Sequence, residues 1–162
     1  MNTAARPFEI PEPSLEDKPA LILVGLQRRY RCDDKSGIPG QWDAFLQRIA
    51  EIGNRVSEVA YGLCMDATET EFDYFCGVEV PADSPTPPGF ATIALAPHRY
   101  AVFPHRGRVE EIVDTVHSIF TQWLPQLNCT AAGEPDLIER YSEDFEPVSN
   151  SGSVEIWIPI RT

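Results

Sequence analysis

The sequence has 162 residues, of which 43% are hydrophobic and 23% charged, the usage of an ordinary globular domain rather than a disordered chain. Thirteen basic residues against 25 acidic ones leave a formal charge of −12. That field repels phosphate backbones and argues against direct nucleic-acid binding, while it attracts cations.

The first twenty residues have no basic region followed by an apolar run, so no secretory signal is read there. No apolar run approaches the roughly 20 residues of a membrane helix. A cytoplasmic protein without membrane attachment is expected. Cys32, Cys64, Cys76 and Cys129 lack CxxC spacing and suit reduced thiols better than disulfides or a zinc site.

In chain order, residues 20–37 read as a strand, a polar interruption and further strand-like sequence. Trp42, Phe45, Leu46, Ile49, Ile52 and Val56 follow at helical spacing. VSEVAYGLCMD and EFDYFCGVEVP are strand material. The Pro-rich stretch Pro81 to Gly89 divides the chain. The same order then recurs: FATIALAPHRYAVFPHRG lies over residues 20–37 at an offset of 70, matching Arg29 with Arg99, Tyr30 with Tyr100 and Gly37 with Gly107. Val109, Ile112, Val113, Val116, Ile119, Phe120 and Trp123 predict a second helix, stopped by Pro125. PDLIERYSEDF and GSVEIWIPI close the second half. The expected fold is α+β, a single domain of two strand–helix–strand–strand repeats related by a pseudo-twofold axis. They cover about 6–81 and 90–162, are joined by 82–89, and form a central cleft.

The closing strand holds one acid. Strand side chains alternate, so Val154, Ile156 and Ile158 share one face while Glu155, Trp157 and Pro159 share the other. Laying Pro81 over Pro159 sets Gly77 against Glu155, so the acid breaks the internal symmetry. His98, His105 and His117 form no ligand set, and no GxSxG, phosphate loop or dinucleotide fingerprint is present. No metal or cofactor is expected.

The ordered set FATIALAPHRYAVFPHRG, WLPQL, ERY and VEIWIPI resembles the GyrI-like small-molecule-binding domain, the effector-binding domain of AraC- and MerR-type regulators. The resemblance covers roughly residues 6 to 162. It implies a groove that binds lipophilic, often cationic aromatic molecules around a central glutamate. On that resemblance Glu155 is the pocket carboxylate, and Trp157, Tyr74, Trp42, Tyr141 and Phe103 line the groove. Only 19 residues precede the first strong strand, interrupted by Pro7, Pro11, Pro13 and Pro19. A helix-turn-helix is therefore not expected. The expected function is sensing or sequestering an amphipathic aromatic cation. Two alternatives stand beside it. One is a hydrolase using Glu155 as general base, with Trp157 and Tyr74 orienting the substrate. The other is a protein partner, as for gyrase-inhibiting relatives.

Overall fold

A computed structural model describes residues 12–105, 108, 111–127, 129–133, 135–145 and 153–161. In chain order the elements are β1 (Ser14–Lys18), β2 (Leu21–Arg31), α1 (Ile38–Arg48), β3 (Ala60–Met65), β4 (Glu71–Glu79), β5 (Ala91–Leu95) and β6 (His98–His105). They continue with α2 (Ile112–Ser118), α3 (Leu124–Gln126), β7 (Thr130–Ala131), β8 (Leu137–Tyr141) and β9 (Val154–Arg161).

Eight strands lie in the order β1-β6-β9-β8-β3-β4-β2-β5, with β7 paired to β9. Every pairing is antiparallel. The domain is thus a mixed α and β fold on one large sheet. First-half strands pair with second-half strands at β3–β8 in the middle, and also at β1–β6 and β2–β5.

Two short links shape this sheet. Only Ala96 and Pro97 separate β5, at one end of the order, from β6, near the other. Only Pro19 and Ala20 separate β1, at the far edge, from β2. Three Cα steps span at most about 11 Å, so the sheet must curl until its two ends approach. The inner face of that curl carries Leu21, Leu23, Tyr61, Leu63, Phe75, Tyr100, Val102, Ile138 and Trp157 as one buried cluster. No helix is needed to cover it.

The outer face holds the helices. Phe45 of α1 is fully buried against Val24, Tyr74, Cys76 and Val78. Ile112 of α2 and Ile119 just beyond it pack with Phe103, Ile156 and Ile158. Both helices differ from the periodicity. The first was expected to run to Val56, but α1 passes into a single 3-10 turn, Ile49–Glu51, and Ile52 is extended. Gly53 and Asn54 then follow, residues that weaken a helix. Val56 is 54% exposed. In the second helix, residues 109 and 110 lie outside the described residues. Past α2, Ile119–Trp123 wind as a π-helix, and Pro125 does not stop the helix as expected. The helical run continues through it to Gln126, directly after the π-helical turn.

One buried polar contact ties α2 to the sheet. His105 Nδ1 and Thr115 Oγ1 lie 2.7 Å apart, with both residues at 1% exposure or less. Thr115→Val keeps the shape and removes that hydrogen bond. Urea unfolding should report a loss of about 1 kcal/mol, the usual worth of one buried bond.

Candidate ligand-binding site

The central strands β3 and β8 run between the parts of the sheet that α1 and α2 cover, and Glu139 stands there, opposite Gly62. Glu139 Oε1 accepts hydrogen bonds from the hydroxyls of Tyr74 and Tyr141, each at 2.8 Å. The Trp42 indole N–H donates to the Tyr74 hydroxyl at 3.0 Å. The Trp42 ring meets Tyr141 edge-on with centroids 5.2 Å apart, and Phe145 packs on Tyr141 with centroids 4.9 Å apart. One carboxylate is therefore held by two tyrosines, with Trp42 and Phe145 packed against them.

Each wall has a local cause. Tyr74, Cys76 and Phe72 alternate along β4 onto the outer face, as Glu139 and Tyr141 do along β8. Gln41, fully buried, fixes α1 beside them. Its Nε2 donates to Leu26 O and Tyr74 O at 2.9 and 3.1 Å, and its Oε1 accepts from the Tyr30 hydroxyl at 2.7 Å. That places Trp42, the next residue, over the hydroxyl of Tyr74. Gly62 supplies the room below. A Cβ there would lie 2.3 Å from the Tyr74 hydroxyl and 2.7 Å from Glu139 Oε1.

Burial is the largest influence on Glu139 and raises its pKa, against the two phenol bonds, which lower it. Tyr74 and Tyr141 are pushed well above the ordinary phenol range, first by burial and then by the adjacent carboxylate. The Cys64 thiol is also pushed up, again by burial first and Glu139 second. Glu139 retains intermediate solvent exposure while Tyr74 and Tyr141 are 2% and 7% exposed. Close crowding governs its charge.

An acid whose folded pKa exceeds its unfolded value binds its proton more tightly in the folded state. Its contribution to stability is therefore full below the ordinary carboxylate range and is lost as pH rises through the folded pKa. The difference in unfolding free energy between the protein and Glu139→Gln should move in that sense with pH. A difference flat from pH 4 to pH 8 would show that Glu139 is not crowded in solution.

Tyr74, Trp42 and Tyr141 thus converge. Phe103 lies on the same face but is fully buried, 6.3 Å from Trp123, and is core. Glu155 and Trp157 do not join them. Ile156, not Glu155, pairs with Glu139, so Glu155 and Trp157 point to the inner face. There Trp157 is 4% exposed and its indole N–H donates to Glu155 at 2.9 Å. The grouping of Glu155, Trp157 and Tyr74 about one substrate is corrected by this parity. Glu139, Gly62, Gln41 and Phe145 were not singled out in the sequence. The available signal was Glu139 two residues before Tyr141, on one strand face.

Among the described residues, no three His, Cys, Asp or Glu side chains converge to hold a metal, and no helix is long and apolar enough to cross a membrane. All four cysteines are free.

A family model, the GyrI-like small molecule binding domain, matches residues 11–161. The transcriptional regulator BrlR of Pseudomonas aeruginosa is 31% identical over 147 residues, covering 89% of this chain and 53% of that protein. The chain therefore spans about half the length of this curated relative. Among solved structures, SAV2435 bound to tetraphenylphosphonium superposes with a TM-score of 0.72 at 23% identity, covering 93% of this chain and 94% of that one. The C-terminal domain of EcmrR superposes with a TM-score of 0.69 at 13% identity, over 93% and 98% of the two chains. These two likenesses show a shared fold.

Proposed function

The chain belongs to the GyrI-like small-molecule-binding family, and from that premise we propose that it captures an aromatic organic cation at Glu139. The observation that carries this is one crowded carboxylate, held by Tyr74 and Tyr141 and roofed by Trp42. A carboxylate whose charge is disfavoured by burial gains most from a cation that fits against it. Ring faces add cation–π attraction of about 0.5–2 kcal/mol each. The ligand of SAV2435, tetraphenylphosphonium, has this chemistry and is the natural first probe.

The site's own rings close over Glu139, so in this reading binding moves Trp42 aside. Trp42 is the movable wall, because it is half-buried and joined to Tyr74 by one hydrogen bond from its indole N–H. We read the strand order about β3–β8 as two repeats facing each other across a pseudo-twofold axis, with the site at their junction. The protein's role in this reading is sensing or sequestration by ligand capture, and the −12 charge opposes contact with nucleic acid.

Titration with tetraphenylphosphonium should quench tryptophan fluorescence saturably, and Trp42→Phe should remove most of the change. Absence of any quenching or heat in a protein shown to be folded would sink the reading. A hydrolytic reading draws on the same observation, because a raised carboxylate pKa suits a general base. It requires turnover of a bound ligand that stops in Glu139→Gln.

A further inference from the structure

The inner face carries a cation supplied by the chain itself. Lys18, at the end of β1, holds its Nζ 4.6 Å from the centre of the Trp157 ring, within cation–π range. The same ammonium pairs with Glu16 at 2.7 Å. Tyr100 and Tyr61 flank Trp157 with ring centroids 5.4 and 6.0 Å away. The Trp157 indole N–H is tied to Glu155 at 2.9 Å, which fixes the plane of the ring. Arg140 lies across the β8–β9 pair from Glu155 on the same face.

Three features set this arrangement apart from the site at Glu139. It lies on the other side of the sheet, at the rim of the curl. Its cation is a compact ammonium from one of only two lysines in the chain, rather than a broad aromatic ion. Its cation also comes from an edge strand that, among the described residues, pairs with β6 alone. The lysine stem is the lid: its side chain is 23% exposed, whereas Trp157 is 4% exposed. A cavity of about 260 Å³ shares Tyr100 and is lined also by Leu95, Ala96, His98, Ala132 and Arg161, which leaves room for a short tail beside the rings.

We propose that the Trp157 ring, flanked by Tyr100 and with the Glu16 carboxylate beside it, forms a second binding site, for a small aliphatic ammonium ion, which Lys18 occupies in cis. An external ammonium enters only by displacing Lys18, so the lysine sets the concentration at which the site fills. The proposal does not depend on Glu139, and its failure leaves the outer site untouched.

Lys18→Ala removes a side chain that n-butylammonium replaces. In that variant n-butylammonium should shift tryptophan fluorescence and raise the melting temperature, with half-saturation at least tenfold lower than in the parent. n-Butanol should do neither. The fluorescence response should vanish on adding Trp157→Phe and persist on adding Glu139→Gln. Lys18→Met, whose uncharged stem still covers the ring, should gain nothing. Equal responses of parent and Lys18→Ala, or an equal effect of n-butanol, overturn the proposal. A second measurement uses the unmodified protein, independent of how the variant folds. Tetramethylammonium should speed reductive methylation of Lys18 relative to Lys35, read by mass spectrometry, and an unchanged ratio at saturating salt counts as refutation.

Discussion

Replacing Glu139 by glutamine should lower affinity for tetraphenylphosphonium by roughly 2–5 kcal/mol, about 30- to 5000-fold, because the ligand charge loses its close partner. Affinity for an uncharged analogue of similar shape, such as triphenylphosphine oxide, should change little. The same substitution should leave the melting temperature unchanged or higher. A glutamine amide still accepts from the Tyr74 and Tyr141 hydroxyls at its oxygen, while the cost of crowding a charge against two buried tyrosines disappears. Loss of binding with no loss of stability is the mark of a group kept for its ligand. Calorimetry with both ligands and thermal unfolding of both proteins measure it. Equal losses for the cation and the neutral analogue would end the charge-pairing account. The pH dependence should agree: cation affinity in the parent should climb as pH rises through the raised pKa of Glu139, and Glu139→Gln should bind without that climb.

Apart from β1 and β7, the strands and the cores of the two helices were legible in the sequence, because period-2 and helical spacing record which side of each element is buried; the family was legible through the ordered set of segments that resembles it. Which of two strand faces forms the site was not. Glu139–Ile138 neighbours and Glu155–Ile156 neighbours look alike in one dimension. Each acid stands two residues before an aromatic, Tyr141 or Trp157, on a strand of apolar residues. What separates them is where the helices lie. Phe45 and Ile112 press onto the face that carries Glu139, and the opposite face is closed by the curl of the sheet. That choice depends on two-residue links between strands at opposite ends of the sheet, a long-range constraint that spacing within one strand does not contain. Pro125 also departs from expectation: the helix continues through it to Gln126 directly after the π-helical turn Ile119–Trp123, a local widening that residue spacing does not encode.

Gly62→Ala tests whether the site's geometry was built into the strand opposite the carboxylate. The added Cβ would lie 2.3 Å from the Tyr74 hydroxyl and 2.7 Å from Glu139 Oε1, distances at which something must move. Tyr74 is 2% exposed and cannot swing into solvent. The substitution should therefore cost roughly 1–3 kcal/mol of stability as overpacking. It should also part the tyrosine from the carboxylate and weaken cation binding. Removing the obstructing hydroxyl gives the decisive comparison. In Gly62→Ala with Tyr74→Phe, the nearest contact is gone, so the double variant should be more stable than the sum of the two single losses predicts. A coupling of about 0.5–3 kcal/mol is expected for groups in direct contact. Strict additivity in urea unfolding would mean that the methyl is absorbed elsewhere and that Gly62 does not frame the site. Gly40 is the control. It lies within α1 and a Cβ there meets nothing within 4 Å. Gly40→Ala should therefore stabilise the protein by about 0.5–1 kcal/mol through helix propensity. The same chemical change thus carries opposite signs at two positions, because only at Gly62 does the missing methyl leave space that a tyrosine and a carboxylate already use.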